Sequence, residues 1–415
     1  MLARLARWHP FTTPEAQRLA VLFAIVYFAQ GTWYLPNQAI TIVLKDRGLG
    51  AGQVATFFAI TAAPWLVKPL YGLLSDFVPL WGRRRKSYLL LTSGLATLAG
   101  LVLGLAAPHT YLWLAVLFTL MGLGLAFTDV MVDAVMVESG KALGLTGAFQ
   151  SVQWAAIYGA SVVVGLVGGY LAARRDLRLA FLLAAAFPLV SFLMGLVVIR
   201  EPRAPADRAM AAATLSAVRQ ALGQRDLWVV AGFILFWVFS PSFGPALLYY
   251  QTDVLGFSQE LIGGLTALTA VGSVAGAVCY APLSRRVPLR RLIVAAIGLS
   301  ALGTLAYLGY RGVWSAVAIE LVYGAGLTVA QLAFLDLAAK ACPARAEATF
   351  FALLMSVYNG GQELSRVTGG YLYDTIGFTP LVWISAGLTT LGWLLVPLVK
   401  IERIEARARA AQLAT

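Results

Sequence analysis

The sequence predicts an all-α integral membrane protein with twelve transmembrane helices in two pseudo-symmetric six-helix bundles. Three observations support this fold class. Hydrophobic residues make up 60% of the 415 residues and charged residues only 12%, about half the charged fraction of a soluble domain. Apolar stretches long enough to cross a bilayer recur along the whole chain. A repeated glycine pattern relates the two halves of the chain.

The apolar stretches define the individual spans. A lipid-exposed segment has to satisfy its own backbone hydrogen bonds, and a helix does so. The first stretch is longer than a signal peptide and lacks a small-residue cleavage site, so we predict that it is retained. The predicted helices cover residues 19–44, 51–75, 87–107, 110–137, 147–172, 178–199, 226–252, 260–283, 291–309, 313–339, 347–373 and 379–399.

A polar segment separates the first six spans from the last six. Residues 200–225 contain two prolines, several charges and an alanine-rich amphipathic stretch. This composition predicts a cytoplasmic linker that is partly helical along the membrane surface. We therefore expect an N-terminal bundle over 1–199, a C-terminal bundle over 226–399 and a cytoplasmic tail over 400–415.

Basic residues set the expected orientation. Only a few of the 31 Lys and Arg residues fall in the loops on one side, and most fall in the loops and termini on the other. Lys and Arg accumulate in cytoplasmic loops, so we expect both termini in the cytoplasm and the protein in the inner or plasma membrane. The same distribution explains the net charge of +12 without a nucleic-acid partner.

The glycine pattern identifies an internal repeat with an offset of about 201 residues. The motif Gly-Gly-Tyr-Leu occurs at residues 168–171 and again at 369–372. Two six-helix halves related by a parallel repeat are typical of the major facilitator fold. A second match places a Gly-x-Gly pair five residues before a polar residue in both halves: Gly122, Gly124 and Asp129, and Gly324, Gly326 and Gln331.

The loop after the second span has a pattern of glycines, one acid and a basic run. A glycine permits close helix packing, and an acid at a helix end can pair with the basic run or with a helix N-terminus. We interpret the loop as a gating latch, with a simple cytoplasmic anchor as the alternative. Its members are Gly72, Asp76, Gly82, Arg83, Arg84 and Arg85.

Three charges inside the predicted spans are candidates for proton coupling. Lys68 lies in span two, and Asp129 and Asp133 share one face of span four. A charge inside the bilayer is costly and is therefore a functional candidate. Lys68 could neutralise one aspartate and leave the other to carry a proton. A purely structural ion-pair cluster is the alternative.

Span eleven supplies candidates for substrate binding. Glu363 and Arg366 are three residues apart and can pair on one helix face. They lie near the middle of the span, where secondary transporters bind substrate, and a structural pair is the alternative. Neighbouring polar candidates are Asn359, Gln362 and, in span ten, Gln331.

Aromatic and amide side chains in other spans could line a site for a flat ring. Aromatic rings stack on planar ligands and amides hydrogen-bond them, although Tyr and Trp also populate membrane interfaces. The candidates in spans one, five and seven are Trp33, Tyr34, Asn37, Gln153, Trp154, Tyr158 and Trp237.

The sequence does not suggest an enzyme. It contains no phosphate-binding Gly-x-x-x-x-Gly-Lys-Ser/Thr motif, so ATP hydrolysis is not expected. Cys279 and Cys342 are far apart, and no metal-ligand pattern surrounds them. We expect neither a cofactor nor a metal, and the predicted partners are a small-molecule substrate, H⁺ and the lipid bilayer. We expect a monomer.

Three segments resemble the folate–biopterin transporter family of the major facilitator superfamily. They are Thr128–Glu138, the stretch from Trp65 through Lys68 to Asp76, and the loop Gly82–Tyr88. The similarity is concentrated in residues 25–172. It implies proton-linked movement of folates or pterins, with Lys68, Asp129 and Asp133 among the functional residues. The muropeptide permeases are similar in the same places, but their members usually have more spans.

These observations predict a secondary active transporter that moves a folate- or pterin-like organic anion by alternating access. Arg366 would bind the anion and the aromatic side chains would stack on its ring. Two alternatives remain open at this point. One is a permease for muropeptides or another small solute, and the other is a non-transporting assembly or sensor protein on the same fold.

Overall fold

A computed structural model describes residues 11–106, 109–201, 203, 216, 219, 222–223, 225–342 and 347–413. These residues form helices and connecting loops without a β-strand. Ten of the described helices are long and apolar enough to cross a membrane. Most of the predicted linker 200–225 and the end of the predicted tail lie outside the described residues.

Each predicted span coincides with a helix or a broken helix. The first half contains α1 (Pro14–Gly31), α2 (Asn37–Asp46), α3 (Ala51–Ala62), α4 (Lys68–Phe77), α5 (Lys86–Leu105), α6 (Tyr111–Leu143), α7 (Thr146–Arg174) and α8 (Leu177–Val198). The second half contains α9 (Arg225–Val238), α10 (Pro245–Tyr249), α11 (Gln259–Arg286), α12 (Leu289–Ala306), α13 (Val313–Ala341), α14 (Glu347–Ile376), α15 (Phe378–Leu395) and α16 (Ile401–Leu413).

The count of twelve membrane-crossing helices stays a prediction. The ten apolar helices do not include α14, which carries Asn359, Gln362, Glu363 and Arg366 along its length. They also do not include the predicted seventh span, which is divided into α9 and α10.

Prolines explain why the first two spans are interrupted. A 3-10 turn, Thr32–Tyr34, separates α1 from α2 just before Pro36, and a second, Ala63–Val67, contains Pro64 and precedes Pro69. Proline lacks a backbone N–H and clashes with the preceding turn, so it favours a kink or a break in a helix.

The seventh span breaks over residues 239–244. Pro241 cannot continue the helix, and Gly244 has a φ of 42°, a conformation that favours glycine. Another helix binds the freed backbone, since Ser365 Oγ of α14 donates to the Ser240 carbonyl at 2.5 Å. The Ser240 side chain in turn donates to the Ser385 carbonyl of α15 at 2.7 Å. Such pairing is required for irregular backbone inside a membrane.

The chain forms two compact units. Residues 1–39 and 70–207 form the first, and residues 40–69 and 208–415 form the second. The segment 40–69, which belongs to the N-terminal half of the sequence, is thus grouped by its contacts with the C-terminal residues. The division into two six-helix bundles at the linker stays a prediction.

Small residues allow close helix packing inside the first unit. A Cβ on Gly124 of α6 would lie 2.8 Å from the backbone nitrogen of Ala96 on α5. A Cβ on Gly100 of α5 would lie 2.8 Å from Cβ of Ala185 on α8. Helices in lipid associate mainly through such packing, because burial of apolar surface from lipid gives little driving force.

Candidate functional site

Asp133 is held by side chains from two other helices of the first unit. The Tyr27 hydroxyl of α1 donates a hydrogen bond to Asp133 Oδ1, and Gln153 Nε2 of α7 lies 3.3 Å from the same oxygen. Tyr27 is fully buried. Sequence reasoning found Asp133 and Gln153 but missed Tyr27. Its signal was weak: Tyr27 stands three and seven residues before the polar Gln30 and Tyr34, on one helix face.

The other two candidates for proton coupling lie in different surroundings. Asp129 is one turn before Asp133 on α6, and only 3% of its surface is exposed. Lys68 begins α4 in the second unit, where its Nζ lies 4.6 Å from the centre of the Trp65 ring. The predicted neutralisation of an aspartate by Lys68 stays a prediction.

Arg85 is the centre of the predicted gating latch. Its guanidinium lies 2.8 Å from Asp76 Oδ1 and 3.0 Å from Glu138 Oε1, and it donates to Ser75 Oγ at 2.7 Å. The Arg85 side chain is only 13% exposed. The expected pairing of Asp76 with the basic run is therefore present, and Glu138 joins it from the end of α6.

The side chain of Glu201 binds the backbone of the same loop. The carboxylate accepts the N–H groups of Arg84 and Lys86 at 2.8 Å each and that of Arg85 at 3.0 Å. These are the unpaired amides at the start of α5, where a negative charge is favoured. Sequence reasoning missed this role, because Glu201 lies more than a hundred residues away and no local pattern announces its partner.

One physical reason given for the loop was wrong. Gly72 was expected to permit a close helix approach, but a Cβ there would meet only Val130 Cγ1, at an ordinary 3.8 Å. Gly82 does need glycine, since its φ is 75° and it forms the turn before Arg83. Arg83 Nε is buried without a hydrogen-bond partner among the described residues.

The predicted Glu363–Arg366 pair is present in the second unit. Arg366 donates to Glu363 Oε1 at 2.7 Å, and the two side chains are 38% and 14% exposed. The second carboxylate oxygen, Glu363 Oε2, is buried and has no hydrogen-bond partner within the described part of the chain. This oxygen can accept a hydrogen bond from a bound molecule. Such a bond would remove the energetic cost of an unpaired buried acceptor.

Other polar candidates lie close to this pair in sequence. Gln362 Nε2 donates to the Tyr358 hydroxyl at 2.9 Å, and Tyr358 lies 6.4 Å from the Trp237 ring. Asn359 on α14 and Gln331 on α13 are half-buried.

The aromatic candidates divide into buried and exposed rings. Trp33 stacks on Phe118 at 5.1 Å, and Trp237 stacks on Phe334 at 3.7 Å. By contrast, Tyr34 and Trp154 are 48% and 39% exposed, so other residues of the protein do not fully cover these side chains. Tyr158 lies 5.8 Å from Trp154 and extends that surface, whereas Asn37 begins α2.

A further carboxylate binds the start of α3 inside the second unit. Asp374 near the end of α14 accepts the N–H groups of Ala51 and Gly52, each at 2.9 Å. Gly370 lies on the same side of α14, and a Cβ there would be 2.8 Å from the Ala51 carbonyl oxygen. Sequence reasoning did not find this contact, because backbone amides carry no sequence signal.

Within the described residues, no group of three or more His, Cys, Asp or Glu side chains is placed to hold a metal ion. The polar groups described above instead offer acceptors, donors and protonatable carboxylates.

Comparison with known proteins decides the family. A model described as the BT1 family matches residues 30–385. The chain belongs to the BT1 family. The match extends well beyond residues 25–172, to which sequence reasoning confined most of the resemblance, and covers both halves. The muropeptide permeases are therefore not needed as an alternative family.

Curated relatives of this BT1 protein are transporters rather than enzymes. A folate-biopterin transporter of Synechocystis is 33% identical over 88% of this chain and 76% of the relative. Probable folate-biopterin transporter 4 of Arabidopsis thaliana is 26% identical over 86% and 89%. This BT1 protein is a multi-pass membrane transporter.

Solved structures with the same fold are also transporters. A D-xylose-proton symporter aligns with a TM-score of 0.70 over 92% of this chain and 98% of its own, at 14% identity. The nucleoside transporter NupG aligns with a TM-score of 0.68 over 93% and 98%, at 13% identity. At these identities the likeness shows the fold alone, which is the major facilitator fold.

Proposed function

We propose that this BT1 protein is a proton-coupled secondary active transporter that moves a folate- or pterin-like organic anion by alternating access. The names of the relatives supply the substrate class. The observation that carries it is the Glu363–Arg366 pair, which combines a cation with a buried carboxylate oxygen that lacks a partner among the described residues.

The chemistry of this pair suits a pterin or folate. The pyrimidinone edge of a pterin presents adjacent N–H donors, and a carboxylate is a strong acceptor for such donors. The glutamate tail of a folate carries carboxylates, which arginine binds well. Glu363 Oε2 would accept hydrogen bonds from the N–H groups of the pterin ring, and Arg366 would bind a carboxylate of the folate tail.

Asp133 is the group that we assign to the proton. Tyr27 and Gln153 fix its carboxylate, and Asp129 lies one turn away with little exposure. Two negative charges one turn apart on a helix repel each other, and this closeness supports a role for the pair in proton coupling. Lys68 would balance the charge that remains.

The distribution of basic residues supports the proposed orientation and membrane location. The excess of Lys and Arg in the loops on one side favours cytoplasmic termini in an inner or plasma membrane. Alternating access would rock one half of the chain against the other, with the Arg85 latch opening and closing, and one chain would suffice as a monomer.

Uptake by purified protein in proteoliposomes tests both parts of the proposal. Asp133→Asn should reduce uptake driven by a pH gradient about five- to 150-fold, the usual range of coupling between two sites, while sparing exchange of labelled folate at equal pH. Asp226→Asn, an exposed partner of Arg407, is the matched control and should transport normally. Proton coupling is wrong if Asp129→Asn and Asp133→Asn each leave gradient-driven uptake unchanged.

Binding tests the substrate class separately. Glu363→Gln should weaken stabilisation of the protein by both pterin and folate in a thermal-shift measurement, whereas Arg366→Gln should weaken folate more than pterin. Muropeptides, amino acids and sugars complete the panel. If no folate or pterin stabilises the wild-type protein, another solute or a non-transporting sensor role gains support.

A further inference from the structure

A carboxyl group in the second unit takes no part in the transport chemistry above. Glu320 lies two turns into α13, and only 5% of its surface is exposed. A buried carboxylate normally pairs with a cation or a set of hydrogen-bond donors. The side chains that face Glu320 therefore decide what it can do.

Hydroxyl groups surround Glu320. Thr269 Oγ1 of α11 donates to Glu320 Oε2 at 2.6 Å. The hydroxyls of Tyr307 and Tyr310, which follow α12, lie close to the carboxylate and interact with it electrostatically, and Tyr323 on α13 itself is the remaining titratable neighbour. No lysine, arginine or histidine of the described residues faces Glu320.

Close packing of α11 and α13 fixes this arrangement. A Cβ on Gly324 would overlap the carbonyl oxygen of Thr269, and one on Gly272 would overlap that of Leu321. Glycines at such crossings bring two backbones together. Thr269 is therefore held against Glu320 by the helix crossing and does not depend on a flexible loop.

Tyr310 connects Glu320 to an irregular turn. The Tyr310 hydroxyl accepts a hydrogen bond from Gln251 Nε2 at 2.6 Å, and the Tyr250 hydroxyl donates to the Tyr310 carbonyl at 3.2 Å. Both partners belong to the π-helical turn Tyr250–Val254. Such turns are rare and occur frequently at functional sites.

The same turn holds the segment 40–69. The Tyr249 hydroxyl, just before the turn, donates to the Leu49 carbonyl at 2.5 Å. Asp253, within the turn, pairs with Lys45 at 2.6 Å. A change in the position of Gln251 therefore acts on both contacts through one short piece of backbone.

We propose that Glu320 is a second proton-binding site, separate from Asp129 and Asp133, and that proton binding there loosens residues 249–257 and their contacts with Lys45 and Leu49. The reaction is reversible uptake of one H⁺ by the carboxylate to give the carboxylic acid, and it needs no other reactant.

Hydrogen-bond counting supplies the physical link. Ionised Glu320 accepts from Thr269 and attracts the hydroxyl hydrogens of Tyr307 and Tyr310, whereas the protonated group carries a hydrogen of its own to donate. One of these hydroxyls then has to accept that hydrogen and direct its own hydrogen elsewhere. Tyr310 also binds Gln251, so reorganisation at Tyr310 reaches the π-helical turn.

Hydrogen–deuterium exchange of the full-length protein in lipid nanodiscs tests this link. The informative amides are those of Leu255 and Phe257, which donate to the carbonyls of Tyr250 and Gln251. Their protection, corrected for intrinsic exchange, should be about two- to tenfold lower at about pH 5 than at about pH 9, the worth of one hydrogen bond. Glu320→Gln, which imitates the protonated acid, should show low protection at both pH values.

Two further variants test whether Tyr310 transmits the effect and whether Asp133 contributes to it. Tyr310→Phe should abolish the pH dependence, because it removes the connection to Gln251 while keeping the acid, and it decides the matter if Glu320→Gln does not fold. Asp133→Asn should retain the wild-type pH dependence, so failure of the transport proposal leaves this one standing. The proposal is overturned if wild-type protection does not change with pH, if Glu320→Gln or Tyr310→Phe keeps the change, or if protection follows Na⁺ concentration instead of pH.

Discussion

Glu201 and Asp374 each bind the first amides of a helix that is distant in sequence, and they do so in contrasting surroundings. Glu201 in the first unit covers three amides of a loop that also contains four consecutive basic residues. Asp374 in the second unit covers two amides of α3, beside the backbone of Gly370. The first contact is dominated by charge and the second by close backbone packing.

This difference has a consequence for what holds each contact together. Around Glu201, substitution of one charge leaves others that partly compensate, because Arg85 also binds Asp76 and Glu138. Around Asp374, the fit depends on the absence of side chains at Gly52 and Gly370. We therefore expect the second region to be more sensitive to volume than to charge.

Gly370→Val should have the largest effect. Its Cβ would meet the Ala51 carbonyl oxygen and the Gly52 backbone at 2.8–2.9 Å, atoms that cannot move as a flexible side chain does. We expect a loss of about 1–3 kcal/mol in stability, typical of overpacking, measured as a lower thermal unfolding midpoint in detergent. Gly387→Val is the control, since nothing lies within 4 Å of that position. Equal midpoints for the two variants would contradict tight packing at Gly370.

Replacing either carboxylate by its neutral amide should lower stability less than Gly370→Val does. Glu201→Gln should cost about 1 kcal/mol, since charged hydrogen bonds are stronger but solvent screens this half-buried site. Asp374→Asn should lower the free energy of unfolding by about 0.5 kcal/mol, the lower end of the range for loss of a helix cap. The same unfolding measurement compares them directly. A larger loss at Asp374 would mean that charge, and not packing, dominates the second region.

Lys45→Gln should have the smallest effect. The pair with Asp253 is 21% and 46% exposed, and exposed ion pairs contribute about 0.2–0.5 kcal/mol. The loss should shrink further at high salt. Lys340→Gln, which breaks the comparable pair with Asp336, serves as the reference. A clearly larger loss at Lys45, unaffected by salt, would refute the view that this contact is a weak surface pair.

Hydropathy located the apolar helices, because apolar length is encoded residue by residue, but it did not show where the first, second and seventh spans are interrupted. The local motif also predicted that Asp76 pairs with the basic run, and the spacing of Glu363 and Arg366 predicted their contact. Both pairs were predictable because their members are neighbours in sequence.

Contacts that depend on the tertiary fold were not predictable in this way. Tyr27 meets Asp133 across 106 residues, and Asp374 meets Ala51 across 323. In the second contact the partner is an amide that every residue except proline possesses. The seventh span was predicted as one helix from the apolar pattern on both sides of Pro241, and the interruption there was not predicted.

The grouping of residues 40–69 with the second unit affects how the protein is made. The ribosome completes these residues long before it reaches Asp253, Gly370 and Asp374, which bind them in the finished protein. During synthesis the start of α3 therefore has to wait in the translocon or in lipid with its amides and glycine surface uncovered. A fragment that stops at the linker would never acquire these partners, so co-expression of two separate fragments is a more suitable route to a split transporter than isolation of the first fragment alone.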